Sequence, residues 1–487
     1  MMINYNEKEL LNILKDIQAS SNECEWVELK HNNWNPQLLG EYVSALSNGA
    51  AYMGQSRGYL VIGLDDATHK VLGTNFNPKS EKIGNQELEN WIATQLSPRV
   101  DFSIEELTLP EGKVVLFIID SAGNTPVKFR GTSYIRVGTY KKPLSEHPER
   151  ERKIWQNTHH SCFETKLAFV GATEDEVLNM LDYSTAFRML DIPLPDNRKA
   201  IFDKLQEEQF VVKRPTCYDI TNLGAILFAN KLSDFIGLKR KAIRLIYYKD
   251  DNRINANREI DGNKGYALGF EGLIKFITDS LPNNEEIEKV FRKDTPVYPT
   301  VALREFIANA LIHQDFSIGG TSPMVEVFKS RLEITNPGTP LIDTLRFIDH
   351  SPLSRNEMLA ATMRRMRLCE ERGSGIDRAL MQCELHQLPA PDFIKDDVYT
   401  KVVMFAPKTM RQMNNEDKIR ACYQHCCLQY VAGKKMTNES FRARLNIAAQ
   451  NYSIASRIIS DAIAAQYVKP YSENQSKKYA QYVPMWA

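Results

Sequence analysis

The sequence predicts a multidomain protein of the α+β class. Its 487 residues exceed what one hydrophobic core usually supports, so three or four domains are expected. Segments with helical spacing of apolar residues, such as LREFIANALIHQDF at 303–316, stand among short strand-like runs such as GYLVIGLDD at 58–66. These patterns change along the chain and predict four domains: 1–150, 151–235, 236–408 and 411–487.

Charge and hydropathy restrict the class of protein. The chain has 61 Lys and Arg residues against 61 Asp and Glu residues, so any nucleic-acid site must be a local basic patch. No apolar run approaches the roughly 18 residues of a membrane span, and the N-terminus carries no charged-then-apolar leader. We therefore expect a soluble cytoplasmic protein with no membrane partner.

The eight cysteines are scattered and are expected to be reduced thiols. Cys422, His425, Cys426 and Cys427 form a cluster of residue types that can ligate a metal. The cluster lacks a second pair at a matching distance and lies in a helical pattern, so buried thiols are the preferred interpretation.

The first predicted domain, 1–150, carries acidic side chains at the margins of strand-like segments. Glu23, Glu28 and Asp65 (or Asp66) would converge if those strand ends meet at one edge of a sheet. Three clustered carboxylates repel each other unless a divalent cation neutralises them. Mg²⁺ or Mn²⁺ held in this way can activate water for phosphodiester cleavage. The alternative is that these acids are ordinary surface residues.

Basic side chains in the same domain could hold the phosphate groups of a nucleic acid. They are Lys30, Lys128, Arg130, Arg136, Lys141 and Lys142. The alternative interpretation is a solvated strand edge, and spacing alone favours that alternative.

Four segments of this domain combine into a recognisable set. They are NECEWVELK at 22–30, SALSNGA at 44–50, GYLVIGLDD and YIRVG at 134–138. Together they resemble the AlbA-like domain of the Schlafen family over roughly residues 20–145.

That resemblance implies two possible activities. In nuclease-active members of the Schlafen family three acids bind metal and cut RNA, and the matching positions here are Glu23, Glu28 and Asp65. Many bacterial members are instead described as nucleic-acid-binding regulators. The Schlafen nuclease core joins two such domains, so the resemblance implies that cleavage by this chain would need a dimer.

The second predicted domain, 151–235, combines short helical patterns with a strand pair around YDITN at 218–222. This order is typical of a winged-helix unit. The candidate recognition helix at 198–208 carries three basic residues but also three acidic residues. A structural connector is therefore preferred over a DNA-reading domain.

The third predicted domain, 236–408, contains a helix with an unusual polar face. Glu305, Asn309 and His313 fall at i, i+4 and i+8, so they form one stripe opposite an apolar side. A carboxylate and an amide one turn apart can seat a hydrated Mg²⁺ beside a nucleotide phosphate. The alternative is a solvated helix face that happens to contain an Asn.

Two glycine-containing signals follow this helix. A strand-like run ends in NPG at 336–338, where glycine allows a ligand to approach the backbone closely. GSG at 373–375 precedes a helical pattern, and small residues there expose backbone N–H groups and the positive end of the helix dipole to a phosphate. Helix caps and tight turns explain many such GSG sequences.

The order of the polar stripe, NPG and GSG resembles the Bergerat-fold ATP-binding domain of gyrase, heat-shock chaperone and histidine-kinase ATPases. It is closest in pattern to the divergent form carried by bacterial AlbA-domain proteins. The resemblance implies an α/β sandwich that binds ATP and Mg²⁺. Glu305 would be the general base, Asn309 would hold Mg²⁺, and Gly373 and Gly375 would contact phosphates.

The same resemblance places His313 and Asp315 on the lid side of the nucleotide, and Asn336 near the adenine. Gly338, in the NPG turn, is predicted to let the ligand approach the backbone. Two features depart from the family. Asn336 stands near the place of an Asp that accepts a hydrogen bond from the adenine amine, and no long glycine-rich lid with a lysine is present. The sequence therefore predicts ATP binding and leaves ATP hydrolysis open.

The fourth predicted domain, 411–487, has the order helix, helix, helix and wing, and resembles the terminal winged helix of the same bacterial proteins. In a DNA-binding role Arg457 would enter the major groove, and Lys477 and Lys478 on the wing would touch phosphates. The alternative is a dimerisation or packing module.

These features support two functions. The preferred one is a metal-dependent endonuclease that acts on RNA, is gated by nucleotide and works as a homodimer or higher oligomer. The alternative is an ATP-responsive DNA-binding transcriptional regulator with no cleavage activity. An ATP-driven helicase is disfavoured because the chain has no GxxxxGK[ST] loop.

Overall fold

The computed structural model shows a mixed α+β protein, which confirms the predicted class. It describes residues 5, 7–19, 24–123, 125–138, 140–158, 163–281, 283–288, 291–369, 373–472, 475–476 and 479–487. The chain divides into two compact units, Met1–Met180 with Pro195–Ala225 and Leu181–Leu194 with Ile226–Ala487. The finer division into four domains stays a prediction. Within the part of the chain that the structure describes, no helix has the length and apolar character needed to cross a membrane.

The first half of the chain contains eight helices among its described residues. They are α1 (Glu7–Ala19), α2 (Pro36–Met53), α3 (Leu88–Gln95), α4 (Pro148–Thr158), α5 (Glu174–Met180), α6 (Tyr183–Met189), α7 (Arg198–Glu207) and α8 (Asn222–Phe228). The strands of this half are β1 (Val27–Lys30), β2 (Arg57–Ile62), β3 (Lys82–Ile83), β4 (Gln86–Glu87), β5 (Leu96–Ser97), β6 (Phe102–Leu109), β7 (Gly112–Asp120), β8 (Lys128–Phe129), β9 (Thr132–Val137), β10 (Tyr140–Pro143), β11 (Leu167–Ala172), β12 (Val211–Lys213) and β13 (Tyr218–Thr221).

The first sheet of the N-terminal unit has the order β1-β2-β7-β6, with β1 parallel to β2. Every residue of β2 is buried because α1 covers one face of the sheet and α2 covers the other. A strand buried on both faces has a continuous apolar run instead of an alternating one. The run GYLVIG therefore reflects the position of β2 inside the sheet.

The polar residues of SALSNGA serve the packing of α2 against a second sheet, β10-β9-β8-β5. The Asn48 amide donates to the Val127 and Tyr134 carbonyl oxygens, both at 2.9 Å, and accepts from the Val127 amide at 2.8 Å. A buried amide is tolerated only when its hydrogen bonds are satisfied, and here they join helix and sheet. A third sheet of this unit, β11-β13-β12, contains the YDITN strand.

The second half of the chain contains the remaining helices of the described residues. They are α9 (Tyr266–Ser280), α10 (Thr300–Ile312), α11 (Glu357–Arg365), α12 (Gly375–Leu385), α13 (Asn415–Val431), α14 (Asn438–Arg444) and α15 (Tyr452–Ala464). The strands are β14 (Arg244–Tyr248), β15 (Ala256–Asp261), β16 (Asn283–Glu288), β17 (Phe291–Pro296), β18 (Met324–Val327), β19 (Arg331–Pro337), β20 (Asp392–Lys395), β21 (Tyr399–Phe405), β22 (Met436–Thr437), β23 (Val468–Pro470) and β24 (Gln481–Pro484).

The centre of the second unit is a six-stranded sheet with the order β15-β14-β18-β19-β21-β20. Helix α10 lies against β19 and contacts α9 and α12. Its apolar side, which includes Leu303, Phe306 and Ile307, is buried. The polar stripe of α10 is thereby turned away from the core.

The C-terminal segment, defined as residues 411–487, consists of α13, α14 and α15 with the small sheet β22-β24-β23. Thr437 caps α14 through a reciprocal pair of hydrogen bonds with Ser440. Cys422, Cys426 and Cys427 are free, buried thiols on α13, as expected of cysteines on an apolar helix face.

Candidate functional site

The polar stripe of α10 lines a cavity in the second unit. Glu305, Asn309 and His313 are half-buried, whereas most of their neighbours on the helix are fully buried. The cavity encloses about 180 Å³, while one water needs roughly 10–15 Å³ by the same kind of measure. It is therefore large enough for an organic ligand.

Other predicted site residues line the same cavity. Asn336 lies at its wall near the end of β19, and Gly373 and Gly375 lie at the start of α12. Further wall residues come from the segment 339–355, α11, β20 and β21, together with Cys369. Six residues that the sequence nominated from three distant segments thus meet at one place.

The Glu305 carboxylate lies directly against the start of α12. Its Oε1 accepts a hydrogen bond from Asn309 Nδ2 at 3.1 Å. A Cβ added at Gly375 would overlap this carboxylate, so a larger residue there would displace the Glu305 side chain from its position. Burial raises the pKa of Glu305 above its ordinary value. A carboxylate with a raised pKa that faces a cavity is suited to take a proton from a bound water.

His313 lines the end of the cavity beyond α10, and Asp315 lies in the turn that follows. Burial, with a smaller contribution from Arg355, lowers the pKa of His313 to about 4, so its imidazole is neutral near pH 7. Asp315 Oδ1 accepts from the Ser317 amide at 2.9 Å, and its Oδ2 lies 3.4 Å from Arg355 Nη1. These contacts hold the turn that follows α10.

Gly338 has a different role from the predicted one, because it is not part of the cavity wall. It has a φ of +102°, and a Cβ there would collide with Asp315. The Asp315 amide donates to the Pro337 carbonyl oxygen at 2.8 Å. Gly338 therefore allows the turn after α10 to pack against the end of β19, and it positions the site without contacting a ligand.

Thr400 is a cavity residue that the sequence did not reveal. It pairs with Asn336 across β19 and β21, so the two side chains are neighbours. Its hydroxyl donates to the Gly338 carbonyl oxygen at 2.7 Å, and Asn336 Nδ2 donates to the Pro337 carbonyl oxygen at 3.2 Å. With Nδ2 engaged, the assigned amide orientation leaves Asn336 Oδ1 as an acceptor at the wall.

Two arginines supply positive charge to the cavity. Arg355 donates to the Thr339 carbonyl oxygen at 2.6 Å besides its contact with Asp315. Arg364 on α11 lines the cavity, and no residue of the described chain forms an ion pair with it. Guanidinium groups are well suited to bind phosphate oxygens. They can provide the charge that a lysine-containing lid would otherwise supply.

Glu28, the second predicted metal ligand of the N-terminal unit, is buried in a charged cluster. It is 1% exposed, and its carboxylate lies 2.8 Å from Arg136 Nε and 2.5 Å from Lys30 Nζ. Burial, followed by the charge of Glu28, raises the pKa of Tyr42 to about 12. Two protein cations therefore neutralise Glu28 where the metal hypothesis required a divalent ion.

Arg136 is fully buried, with 0% exposure, and donates to the Cys24 and Val27 carbonyl oxygens. The prediction that it contacts phosphates is therefore wrong for this conformation, because its guanidinium does not reach solvent. A basic residue in a strand can face either the core or solvent, and strand pairing decides which.

Among the described residues, neither Asp65 nor Asp66 joins Glu28 in a metal-binding group. Asp65 is half-buried and accepts hydrogen bonds from Thr68 Oγ1 and the Thr68 amide at 2.7 and 2.8 Å, which lower the pKa of Asp65. Lys30 Nζ also lies 3.4 Å from Asp66. Glu23 lies outside the described residues. Within those residues, no group of three or more His, Cys, Asp or Glu side chains could hold a metal ion.

The remaining predicted nucleic-acid residues differ in availability. Lys141 pairs with Glu41 and lies 4.8 Å above the Tyr42 ring. Arg130 is exposed and lies 5.3 Å from the Trp91 ring. Arg457 is exposed on α15, and Lys477 lies outside the described residues.

Comparison with known proteins identifies two parts of the chain. Residues 23–145 match the family model described as Schlafen, AlbA_2. Residues 320–404 match the family model described as putative ATP-dependent DNA helicase recG C-terminal. The chain therefore contains one region that is similar to the Schlafen, AlbA_2 domain and one region that is similar to an ATPase-like domain.

Two solved structures resemble this chain weakly. The DIP2311 protein from Corynebacterium diphtheriae is 16% identical, with 98% of this chain and 97% of that chain covered and a TM-score of 0.42. The N-terminal domain of a putative ATP-dependent DNA helicase RecG-related protein from Nitrosomonas europaea is 18% identical. The aligned region covers 28% of this chain and 93% of that domain, with a TM-score of 0.20. No curated protein matches the chain.

The structural role of Glu28 can be tested by a matched pair of substitutions. Glu28→Gln leaves Arg136 buried without a full counter-charge and is expected to reduce the free energy of unfolding by about 3 kcal/mol. Asp65→Asn, in a surface turn, should change the free energy of unfolding much less, because Asp65 has no buried charged partner among the described residues. Urea denaturation of the full chain without metal, followed by tryptophan emission, measures both changes. Equal effects of the two substitutions would contradict the ion-pair assignment.

Proposed function

We propose that this protein is an ATP-responsive regulator that binds nucleic acid without cutting it. The observation that carries the proposal is the meeting of Glu305, Asn309, His313, Asn336, Gly373 and Gly375 around one cavity. The neutralisation of Glu28 by Arg136 and Lys30 favours binding over metal-dependent cleavage in the N-terminal unit. The nuclease preferred from the sequence therefore becomes the second candidate.

The cavity fits the parts of ATP in a definite order. Asn336 Oδ1 and the neighbouring Thr400 offer polar groups to the base. The N-terminus of α12, with the guanidinium groups of Arg355 and Arg364, suits the negatively charged phosphates. The cavity therefore has separate regions for the base and for the phosphates.

Asn309 is the residue best placed to hold Mg²⁺. Its Nδ2 donates to Glu305, so the carbonyl oxygen of the amide remains available as a hard-oxygen ligand. Bound Mg²⁺ would neutralise phosphate charge. Glu305 can orient or deprotonate a water molecule beside it, which makes slow hydrolysis compatible with the site. Binding is the property that the proposal requires.

Nucleic acid would be held by exposed basic residues of both units. Arg130 lies over Trp91, and its guanidinium plane presents both charge and a stacking surface to a phosphate or an unpaired base. Arg457 on α15 is exposed in the manner expected of a groove-reading helix. The predicted winged helices and homodimer belong to this proposal.

The second candidate, a metal-dependent RNA endonuclease, is favoured by one arrangement. Lys30 Nζ lies between the carboxylates of Glu28 and Asp66, at 2.5 and 3.4 Å. An ammonium group that bridges two carboxylates occupies a position that a divalent cation could take if Lys30 moved away. The candidate therefore requires metal to displace Lys30.

The ATP site can be tested with a variant and a control on the same helix. Asn309→Ala is expected to weaken binding of Mg·ATP about tenfold or more, because an oxygen ligand of the metal is lost. Arg304→Ala removes the surface pair with Glu271 and a contact with the Phe270 ring, neither of which lines the cavity, and should leave the affinity unchanged. Titration calorimetry measures both, and the effect of Asn309→Ala should disappear in EDTA. Equal affinities of the two variants in Mg²⁺ would contradict the assignment of Asn309.

The two functions are separated by incubating the protein with total RNA in Mn²⁺ and in EDTA. The regulator is expected to retain RNA in both conditions and to leave it intact, with weaker retention by Arg130→Ala because a phosphate contact is lost. Cleavage that requires Mn²⁺ and is lost in Asp66→Asn would overturn the regulator and support the nuclease.

A further inference from the structure

The wall of the cavity is also a contact surface for the C-terminal segment. The segment 339–355 lines the cavity, and at Leu345 its backbone carbonyl oxygen accepts a hydrogen bond from Tyr423 Oη on α13. Trp486 Nε1 donates to the same Tyr423 Oη at 3.0 Å. The Arg346 guanidinium lies 4.8 Å from the Trp486 ring. Two aromatic side chains of the C-terminal segment therefore hold the outer side of the cavity wall.

Helix α12 also connects the cavity to the C-terminal segment. The helix begins at Gly375, against the Glu305 carboxylate, and ends at Leu385. In its last turn, Glu384 lies 3.1 Å from His425 Nδ1 and 3.2 Å from Arg444 Nε. Its first turn borders the cavity, and its last turn is bound to α13 and α14.

The contacts at the end of α12 resist separation. Arg444 is 6% exposed and also donates to the Leu388 carbonyl oxygen at 2.6 Å. Withdrawing Glu384 would leave this buried guanidinium without its counter-charge, which is strongly unfavourable. If α12 is displaced, α13 and α14 therefore move with it.

We propose that occupancy of the cavity and the arrangement of the C-terminal segment are coupled through the 339–355 wall and α12. The inference rests on the proposed function, because it takes ATP as the ligand. Phosphates at the start of α12 and closure of the wall shift α12, Tyr423 and Trp486 together. The packing of α15 on α13 passes that shift to the helix that carries Arg457.

Coupling of this kind is reciprocal, so contacts of the C-terminal segment contribute to ATP affinity. Loss of the Tyr423 hydrogen bond should weaken ATP binding even though Tyr423 does not line the cavity. Measured coupling in proteins usually corresponds to about 5-fold to 150-fold in affinity. An effect near the lower end is expected here because Tyr423→Phe removes one of the two connections.

Trp486 provides a direct readout. The other four tryptophans, Trp26, Trp34, Trp91 and Trp155, belong to the N-terminal unit. The full chain and Trp486→Phe are titrated with Mg·ATP, and the difference in emission isolates Trp486. The emission of Trp486 should change with the same midpoint as ATP binding measured by calorimetry.

The decisive comparison uses three further full-length variants. Tyr423→Phe should lower Mg·ATP affinity about fivefold and remove the Trp486 response. Tyr471→Phe makes the same chemical change at an exposed position of the C-terminal segment and should behave as wild type. Glu384→Gln, checked by circular dichroism, should also lower the affinity, so the inference stays testable if Tyr423→Phe does not fold.

The outcomes separate the inference from the proposed function. Wild-type binding of Mg·ATP with unchanged affinity in both Tyr423→Phe and Glu384→Gln would overturn the coupling and leave the ATP site intact. Absence of Mg·ATP binding by the wild-type chain would overturn both. Weakened binding in both variants, with Tyr471→Phe unaffected, supports the coupling.

Discussion

The close approach of the Glu305 carboxylate to Gly375 is the contact on which the site depends. It brings the polar stripe of α10 to the start of α12, and the cavity lies beside this junction. The free N–H groups and the dipole of a helix N-terminus favour negative charge. The N-terminus of α12, which accommodates the Glu305 carboxylate, is therefore also suited to a phosphate group. A side chain at residue 375 would displace the Glu305 carboxylate, so the identity of residue 375 and the position of Glu305 are linked.

The two nominated carboxylates, Glu305 and Glu28, show how partners decide what a buried acid can do. Glu305 is hydrogen-bonded by a neutral amide, faces a cavity and has a raised pKa. Glu28 is enclosed by Arg136 and Lys30 and is held as one member of a structural ion cluster. A perturbed acid that faces a cavity is a good candidate for chemistry, whereas a fully compensated one usually serves packing. Sequence spacing does not distinguish the two situations.

The sequence predicted features that depend on residues close together in the chain, and it missed features that depend on contacts between distant segments. The stripe of α10 follows from the 3.6-residue period of one helix, so its side chains were identifiable without tertiary structure. Thr400 lies at the site because of the register between β19 and β21, and Arg364 because of the position of α11. Both positions depend on contacts between segments that are distant in the sequence. Arg136 illustrates the reverse error, since a basic strand residue was taken as exposed although strand pairing buries it.

The central claim is that this cavity binds ATP with Mg²⁺ at Asn309. The most direct measurement is a crystal structure of the full chain with Mg²⁺ and a non-hydrolysable ATP analogue. The account predicts phosphates at the start of α12, Asn309 Oδ1 at about 2.1 Å from Mg²⁺, and the base beside Asn336 and Thr400. A nucleotide bound elsewhere, with this cavity empty, would contradict it.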